Sequence, residues 1–354
     1  MLANPFAVIT TVQEPTPCVR QFTSLLSSQS IPLLIVGDSK GPFEYNLKGT
    51  ELWTLERQRS LNFMLSKKLP TKHYSRKNLG YLIAMDRRAT MIYETDDDNG
   101  PLDAWTMRDV RAKAITLAPQ RWSNVYRWFS DDLIWPRGLP LEAIREEGAI
   151  PKPDAAKQES EEYAPIQQGL ANNAPDVDAI WRLVLDRDFL FKSAPSVLLP
   201  PGTWCPFNSQ STWWWPEAFP LLYLPSYCSF RMTDIWRSFV AQRCLWELGA
   251  GVVFHAPEVY QERNTHSLIA DFEAEVPGYL HNVNIALILD KVRLQSGVNN
   301  VSDNLISCYE ALVASNELPA DELPLVEAWR SDLNDLQSTG RWSTSRARDA
   351  KDSE

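Results

Sequence analysis

The chain has 354 residues, of which 44% are hydrophobic and 23% are charged, and its formal net charge is −10 at pH 7. This hydrophobic fraction is sufficient for a large core, and the length allows two average domains or one large α/β domain with insertions. The acidic balance argues against a nucleic-acid partner, because a nucleic-acid surface requires a basic patch. A polyanionic ligand must therefore be met locally by a metal ion, by Lys or Arg, or by helix N-termini.

Cysteine usage and hydrophobicity bear on the cellular compartment. The five cysteines are widely spaced and lack a CxxC pair, so the sequence predicts neither a disulfide framework nor a zinc site. A reducing compartment, the cytoplasm, is therefore expected. Residues 1–6 lack a basic region followed by an apolar core, and no run of 18 apolar residues occurs. We expect a soluble protein without a transmembrane segment, whose association with membrane-bound biosynthetic machinery is peripheral.

The first hundred residues alternate between two kinds of predicted element. Apolar runs rich in β-branched residues predict strands at residues 6–12, 31–36, 51–55 and 90–95. Apolar periodicity predicts helices at residues 18–27, 56–67 and 75–85. This alternation predicts an α/β fold, with a mostly parallel sheet, right-handed crossovers and flanking helices in a single large domain.

The remainder of the chain is more varied. Residues 142–175 are rich in Glu, Lys, Pro, Gln and Asn, which predicts an inserted, exposed loop. Apolar runs predict strands at residues 219–224 and 251–255, and helical periodicity is found at residues 180–190, 235–248, 283–291, 304–315 and 322–337. We divide the chain into a domain over residues 1–300, C-terminal helices over 301–337 and a disordered tail over 338–354.

Three consecutive carboxylates, Asp96, Asp97 and Asp98, follow the strand predicted at residues 90–95. Ligands of open α/β sheets bind at the C-terminal ends of the strands. Adjacent aspartates there suit a hard divalent cation that keeps open positions for the oxygens of a diphosphate. The pattern therefore indicates a metal and nucleotide-sugar site. An acidic turn explains the same residues, because Asp, Asn and Gly are common turn residues after a strand.

A diphosphate also needs nearby positive charge. The sequence contains neither GxGxxG after the first strand nor GxxxxGK[ST], which disfavours a dinucleotide-binding Rossmann domain and a P-loop. Arg76 and Lys77 instead stand at the beginning of the helix predicted at residues 75–85, where free backbone N–H groups add to the positive field. In the alternative interpretation, both are solvated helix residues.

Residues 200–216 combine polar side chains with tryptophans. Asn208, Ser209 and Gln210 lie between Trp204 and the run Trp213 to Trp215. Hydrogen-bonding groups beside planar rings are typical of a sugar cradle. A proline-rich loop pinned by buried rings accounts equally well for the same residues.

Two further sets of residues are candidates for the chemistry. Asp234, at the beginning of the helix predicted at residues 235–248, either caps that helix or presents a carboxylate to the sugar or the acceptor hydroxyl. His255, His266 and His281 are candidates for a third metal ligand or a base, although a lone His is more often a packed or surface residue.

Several separated motifs carry a resemblance to a known family. The main blocks are RKNLGYLIA at residues 76–84, IYETDDD at 92–98, RMTDIWR at 231–237, QR at 242–243 and LWE at 245–247. Supporting matches are VGDSK at residues 36–40, WPRGLP at 135–140 and PFNSQ at 206–210. Over roughly residues 6–285, the chain resembles the STELLO family of glycosyltransferases and, more distantly, the reversibly glycosylated polypeptides that act as UDP-arabinopyranose mutases.

The resemblance implies a GT-A fold, which is a Rossmann-like domain with a DxD motif and a divalent cofactor, Mn²⁺ or Mg²⁺. It assigns Asp98 to direct metal ligation and Asp96 to the metal, to a metal-bound water or to the ribose, and it puts Asp234 near the acceptor. The residues implied to bind the nucleotide sugar are Thr10, Thr11, Asp38, Lys40, Arg76, Lys77, Asp96, Asp97, Arg137 and Asn208. The mutases carry a His after a late strand, where this chain has Tyr260 and Gln261.

Three functions are compatible with these residues. The leading hypothesis is metal-dependent transfer of a sugar from a UDP donor to a glycan or other hydroxyl acceptor, as in polysaccharide biosynthesis. The first alternative is a nucleotide-sugar mutase, which needs the same donor pocket but no acceptor channel. The second alternative is a non-catalytic scaffold that binds a nucleotide sugar or a glycan without turnover.

Overall fold

The computed structural model describes residues 3–263 and 267–343. The strands in these residues are β1 (Pro5–Thr10), β2 (Leu33–Val36), β3 (Thr50–Trp53), β4 (Met91–Thr95), β5 (Asn99–Pro101), β6 (Arg111–Thr116), β7 (Ser160–Tyr163), β8 (Ile166–Asn172), β9 (Val197–Leu199), β10 (Ser211–Trp214) and β11 (Val252–Gln261). The helices are α1 (Pro17–Ser28), α2 (Leu55–Arg59), α3 (Lys77–Asp86), α4 (Leu141–Ile144), α5 (Ala179–Leu185), α6 (Thr233–Trp246), α7 (Leu268–Lys291), α8 (Val301–Ala314) and α9 (Leu323–Ser338).

The strands form one large sheet in the order β3-β2-β1-β4-β10-β8-β11-β9-β6-β7, and β5 pairs with β11. The first four strands of this order are parallel, with Ala7 in register with Leu33 on one side and with Tyr93 on the other. From β10 onwards the sheet is mixed, because β10 is antiparallel to both β4 and β8. The predicted α/β fold, a sheet flanked by helices in a single domain, is confirmed.

The two faces of the parallel strands pack against different helices. Val8 and Val36 belong to a large core that includes α3, whereas Ile9 and Ile35 pack with Phe22 of α1 on the opposite face. This alternation follows from the period of two along a strand. Helix α3 approaches the sheet closely at Gly80, where an added Cβ would lie 2.5 Å from Val8 Cγ1 and 2.8 Å from Val36 Cγ2.

The C-terminal helices α8 and α9 pack on the same core as α3, through buried residues such as Tyr309 and Trp329. A specific polar contact also joins α9 to the first half of the chain. Both oxygens of Asp332 accept backbone N–H groups, from Met64 at 2.7 Å and from Leu65 at 2.9 Å. A disordered tail was predicted over residues 338–354. Its residues from 344 onwards lie outside the part of the chain that the structure describes.

The predicted exposed insertion is wrong over part of its length. Within residues 142–175, Ile166–Asn172 forms the buried strand β8, which lies between β10 and β11. Its polar residues are satisfied inside the sheet: Gln167 contacts His255 at 2.9 Å, and Gln168 Oε1 accepts from the backbone N–H of Asn208 at 3.1 Å. The polar composition of this segment therefore does not make it exposed to solvent.

Smaller differences concern element type and length. The strand predicted at residues 219–224 is a 3₁₀ helix, Pro216–Leu222, since prolines at 216 and 220 cannot donate to a sheet ladder. The helix predicted over residues 56–67 ends at Arg59, and α7 begins at Leu268 instead of residue 283. No helix in the described residues combines the length and apolar character that a membrane crossing requires.

Candidate functional site

The parallel strands bring the predicted polar residues to one edge of the sheet. Strands β1, β2 and β4 run in the same direction, so their C-terminal ends adjoin. Thr11 follows β1, Asp38 follows β2, and the three aspartates follow β4. The Thr11 hydroxyl donates a hydrogen bond to Asp97, which directly ties the ends of β1 and β4 together. Loops at this edge are where an open α/β sheet binds its ligands.

A cleft of about 370 Å³ opens beside the end of β4. Its volume is within the usual range for small-molecule sites. Asp96, Asp98 and Asp234 line the cleft, whereas Asp97 is turned towards Thr11. The three aspartates form a turn after β4, closed by a hydrogen bond from the Asn99 N–H to the Asp96 carbonyl at 3.3 Å, and this turn directs the first and third side chains to the cleft. The carboxylates of the predicted DxD pattern and the predicted acceptor-side carboxylate therefore face the same space.

Asp98 has the least satisfied carboxylate of the three. One oxygen accepts a hydrogen bond from Gln261 Nε2 at 2.9 Å, and the other, Oδ1, is buried without a hydrogen-bond partner. Burial, followed by the negative charges of Asp96 and Asp97, raises the pKa of Asp98 to about 7. A bound cation would both supply a partner for the orphaned oxygen and stabilise the ionised form.

The donor set fits a metal that is completed by its substrate. Asp96 and Asp98 are hard oxygen ligands, and Mg²⁺ commonly uses one or two carboxylates together with substrate phosphates. Across residues 3–263 and 267–343, no group of three His, Cys, Asp or Glu side chains is arranged to hold a metal ion. A cation at this position would thus take further ligands from outside the described residues, such as substrate oxygens.

Two of the three histidines considered for a third ligand, His255 and His281, are described, and neither lines the cleft. Both ring nitrogens of His255 are engaged, Nδ1 with Ser196 Oγ at 2.7 Å and Nε2 with Gln167 Oε1 at 2.9 Å. His281, on α7, pairs with Glu317, which follows α8, and His266 lies outside the described residues. At the position where the mutases carry a His, Gln261 instead holds Asp98.

Lys77 supports Asp96 from inside the protein and does not line the cleft. Its ammonium group is fully buried and donates to the Thr95 carbonyl at 2.7 Å, to the Tyr74 hydroxyl at 2.9 Å and to Asp96 Oδ1 at 3.0 Å. Burial raises the pKa of Asp96, and the charge of Lys77 opposes that shift. Lys77 therefore compensates the charge of Asp96, and the predicted contact with a diphosphate is not available to it.

Arg76 is also directed away from the cleft. Its guanidinium is buried, with Nε donating to Gln58 Oε1 at 2.7 Å and Nη1 donating to the carbonyls of Leu69 and Pro70 at 3.2 Å. These contacts hold the loop that precedes α3. Arg76 does not line the cleft, because tertiary partners determine where its side chain points, and its contact with a diphosphate stays a prediction.

Asp234 and Arg137 form a buried ion pair at the side of the cleft opposite β4. Arg137 Nη2 lies 3.1 Å from each carboxylate oxygen of Asp234, and the same guanidinium makes two bonds to Asp176, at 2.7 and 2.8 Å. Burial raises the pKa of Asp234, but the charge and hydrogen bonds of Arg137, together with the charges of Arg237 and Arg231, outweigh that effect, so the net pKa is lowered. Arg137 is thus committed to two carboxylates and keeps Asp234 ionised.

The remaining predicted nucleotide contacts lie at the sheet edge or beneath it. Thr10 donates its hydroxyl to the Val36 carbonyl at 2.9 Å. Asp38 accepts from the backbone N–H groups of Ser39 at 2.5 Å and His73 at 3.0 Å. Lys40 is exposed on the turn that follows β2. None of these three side chains lines the cleft, and their assignment to the nucleotide sugar stays a prediction.

The structure distinguishes the two interpretations of residues 200–216, a sugar cradle and a loop pinned by its rings. Trp204, Trp213, Trp214 and Trp215 are all buried in the core, which favours the alternative of a loop pinned by its rings. Asn208 is buried as well, and its Oδ1 accepts from the Gln210 backbone N–H at 3.0 Å and from Gln168. Gln210 lines the cleft in its place.

Comparisons with known proteins agree with the motifs. A family model described as STELLO glycosyltransferases matches residues 231–341. Two Arabidopsis thaliana proteins, named Probable glycosyltransferase STELLO2 and Probable glycosyltransferase STELLO1, are 31% and 30% identical to this chain over 274 residues. The resemblance to the STELLO family is confirmed. The matches cover 72% of this chain, which spans only 35% of the length of each STELLO relative.

The stretch matched by the STELLO model includes several residues of the cleft, namely Arg231, Asp234, Gln261 and Arg263. A solved structure described as the crystal structure of a mycobacterial protein is similar with a TM-score of 0.40 and 10% identity, covering 80% of this chain and 75% of that one. Similarity at that level supports no conclusion about fold or activity.

Four residues in or beside the cleft have no role in the sequence interpretation. Tyr74 does not line the cleft, but its hydroxyl contacts Asp96 and Ser209, and Phe230 lines the cleft and is 58% exposed. Arg182 and Arg263 bring positive charge to the cleft from α5 and from the end of β11. One signal for Arg182 was available, since it is a charged residue within an otherwise apolar helical run. The other three gave no signal, because only the tertiary fold brings them together.

Proposed function

We propose that this chain is a metal-dependent glycosyltransferase unit that moves a sugar from a UDP donor to a hydroxyl group of a glycan acceptor. The observation that carries the proposal is the shared cleft, which Asp96, Asp98 and Asp234 line at the C-terminal edge of the sheet. The names of the STELLO relatives support the same class of activity. The surroundings of the three carboxylates differ, which suits a division of roles between them.

Asp96 and Asp98 are the residues that would hold the divalent cation, Mn²⁺ or Mg²⁺. When bound, the cation would supply positive charge next to the diphosphate, where negative charge develops as the bond to the sugar breaks. Lys77 and Tyr74 hold Asp96 through hydrogen bonds of 3.0 and 2.7 Å, and Gln261 holds Asp98. Such supporting contacts fix carboxylates in place for a ligand.

Asp234 would act on the acceptor hydroxyl. Its lowered pKa means that the carboxylate is ionised near neutral pH and accepts hydrogen bonds. A base of low pKa removes a proton weakly, so we assign Asp234 mainly to orienting the attacking hydroxyl. Phe230, which is 58% exposed and lines the cleft, would offer its ring to the apolar face of a sugar.

A thermal-shift experiment tests the proposal. The melting temperature of the chain is measured with UDP, UDP-glucose and UDP-glucuronate, each with and without Mn²⁺, because a ligand specific to the folded state raises it by mass action. We expect a metal-dependent rise for the wild type and none for Asp98→Asn. Asp103→Asn is a matched control, since Asp103 is exposed outside the cleft. A wild type that responds to no UDP compound, or an Asp98→Asn variant that responds normally, would contradict the proposal.

Product analysis separates the remaining functions. Sugar transferred to a glycan supports the transferase, and a ring-isomerised nucleotide sugar formed without acceptor would indicate the mutase. Metal-dependent binding without turnover for any donor and acceptor pair would indicate a scaffold.

A further inference from the structure

The cleft has a second charged surface besides its carboxylates. Arg182, Arg231 and Arg263 line it from α5, from the residues before α6 and from the residues after β11. We call these three residues the arginine wall. The fourth arginine of the cleft, Arg137, is not part of it, because its guanidinium is held between Asp176 and Asp234.

Arg182 is the member of the arginine wall whose charge is least compensated. The residue is only 6% exposed, and its guanidinium donates to the Pro175 carbonyl at 2.7 Å and stacks 5.3 Å from the centroid of the Trp181 ring. Within residues 3–263 and 267–343, no carboxylate forms an ion pair with Arg182. A buried cation without an anionic partner is costly, so this arrangement indicates a missing anion.

The carboxylates near Arg182 are paired with other arginines. Arg231 is paired with Glu275, at 2.8 and 3.0 Å, and Arg263 is paired with Asp271 at 2.8 Å. Asp176, the carboxylate of the cleft that attracts Arg182, has both oxygens bound by Arg137. Burial, followed by repulsion from Arg263, lowers the pKa of Arg182 to about 10. The local carboxylates are therefore already engaged by other arginines.

We propose that the arginine wall, centred on Arg182, is a subsite that binds an oxyanion group of the substrate, either a phosphate or a carboxylate. The planar guanidinium fork matches the geometry of both groups and forms charge-assisted hydrogen bonds with them. The assignment of this group to a nucleotide-sugar substrate rests on the proposed function. Two sources carry the required chemistry, the diphosphate of the donor and a carboxylate on the transferred sugar.

The test begins without nucleotide and without metal. Inorganic pyrophosphate is titrated into the full chain in buffer that contains EDTA, and affinity is measured by calorimetry at two salt concentrations. We expect the wild type to bind pyrophosphate more weakly at high salt, and Arg182→Gln to lose about tenfold or more in affinity. Arg187→Gln is the matched control, since Arg187 is exposed, pairs with Asp132 and lies outside the cleft. It should bind as the wild type does.

A second set of titrations identifies the source of the oxyanion. UDP, UDP-glucose and UDP-glucuronate are compared in the presence of Mn²⁺. If Arg182→Gln weakens pyrophosphate and all three UDP compounds, the subsite binds the donor diphosphate. If it weakens UDP-glucuronate alone, the subsite binds a sugar carboxylate. Unchanged affinity for every ligand in Arg182→Gln would overturn the proposal.

These measurements distinguish a failure of the proposed subsite from a failure of the proposed function. Binding of pyrophosphate through Arg182 supports the subsite even if no sugar is transferred, and transfer with unchanged affinities in Arg182→Gln overturns the subsite alone. If Arg182→Gln fails to fold, Arg182→Lys takes its place. Arg182→Lys keeps the positive charge but loses the planar guanidinium. We expect its affinity for pyrophosphate to fall severalfold, which is less than the fall expected for Arg182→Gln. Wild-type affinity in this variant would again overturn the proposal.

Discussion

Asp96 and Asp234 are joined through two hydroxyl groups. The Tyr74 hydroxyl lies 2.7 Å from Asp96 Oδ1 and 2.6 Å from Ser209 Oγ, which in turn lies 3.3 Å from Asp234 Oδ2. Two hydroxyl protons are shared among these three contacts, so at most two of the contacts are hydrogen bonds at one time. If a cation neutralises the charge of Asp96, the Tyr74 hydroxyl can donate its hydrogen bond to Ser209 instead. The Ser209 hydroxyl then donates to Asp234.

The first prediction concerns Tyr74. In Tyr74→Phe, Asp96 loses a donor, Ser209 loses a partner and Lys77 loses one acceptor, while the ring that Lys77 faces at 5.0 Å is kept. Groups that support a metal-binding carboxylate typically contribute about 10- to 100-fold to metal affinity. We therefore expect the Mn²⁺ concentration for half-maximal thermal stabilisation by UDP to rise about tenfold.

Tyr309→Phe is the control for the loss of a buried hydroxyl, because the Tyr309 hydroxyl has no hydrogen-bond partner and lies in the core formed with α9. It should leave the Mn²⁺ dependence unchanged. An unchanged Mn²⁺ requirement in Tyr74→Phe would mean that the bridge between Asp96 and Asp234 does not support the metal site.

The second prediction concerns Asp234. Asp234→Asn removes the negative charge at the acceptor side but leaves Arg137 its two bonds to Asp176. We expect transfer to slow by about 10²-fold or more, the range found for residues that act on a proton or orient the nucleophile, with UDP affinity retained. Because the pKa of Asp234 is lowered, the wild-type rate should not fall through protonation of this group between pH 5 and 8.

Steady-state kinetics with a fixed glycan acceptor check this prediction, and Ser209→Ala is the comparison. It keeps the carboxylate and removes one of its contacts, so its effect should be smaller than that of Asp234→Asn. Equal rates for Asp234→Asn and the wild type would exclude a role for Asp234 in transfer.

The sequence was informative where chain order alone determines position. The strand that precedes Asp96 was predictable from its composition, and parallel neighbours necessarily bring its end beside Thr11 and Asp38. It was not informative about side-chain direction. Arg76 and Lys77 both stand at the start of α3, yet Gln58 and two loop carbonyls hold the first, and Asp96 and Tyr74 hold the second.

Composition misled the interpretation at two places for one reason. Gln167 and Gln168 suggested an exposed loop, but partners on β11 and beside β10 satisfy them within the sheet. The tryptophans suggested a sugar platform, but Trp213 and Trp214 donate their indole N–H groups to the buried carboxylates of Glu258 and Glu94. Whether a polar or amphipathic side chain is exposed depends on partners that are distant in sequence.

The third prediction concerns the ring that does face the cleft. Phe230 packs edge-on against Tyr74, with 6.0 Å between ring centroids, and is 58% exposed. Phe230→Ala should raise the KM for the sugar donor or acceptor about fivefold, since a stacked ring contributes about 1 kcal/mol. The affinity for UDP should not change, because UDP lacks the transferred sugar on which the Phe230 ring would stack.

Phe43→Ala is the matched control, as Phe43 is 73% exposed and does not line the cleft. The melting temperatures of both variants should remain close to that of the wild type. Unaltered KM values for donor and acceptor in Phe230→Ala would show that the Phe230 ring does not contact the sugar.

The fourth prediction concerns stability and its pH dependence at the junction between α9 and the first half of the chain. Burial raises the pKa of Asp332 to about 6, above the ordinary value of 3.8 that applies in the unfolded chain. Between these two values the folded state binds more protons than the unfolded state. The contribution of Asp332 to the free energy of unfolding is therefore greatest below pH 3.8 and falls as the pH rises towards 6.

Asp332→Asn tests this sign, because an amide does not ionise in that range. Its single carbonyl oxygen replaces the two oxygens that now accept from Met64 and Leu65, so we expect a loss of about 1–3 kcal/mol at pH 7. Urea denaturation at several pH values between 4 and 7 should give a wild-type stability that falls more steeply with pH than that of the variant. Asp321→Asn, at an exposed residue before α9 whose charge does not act on Asp332, should keep the wild-type slope. Equal slopes for Asp332→Asn and the wild type would show that the raised pKa of Asp332 does not govern stability here.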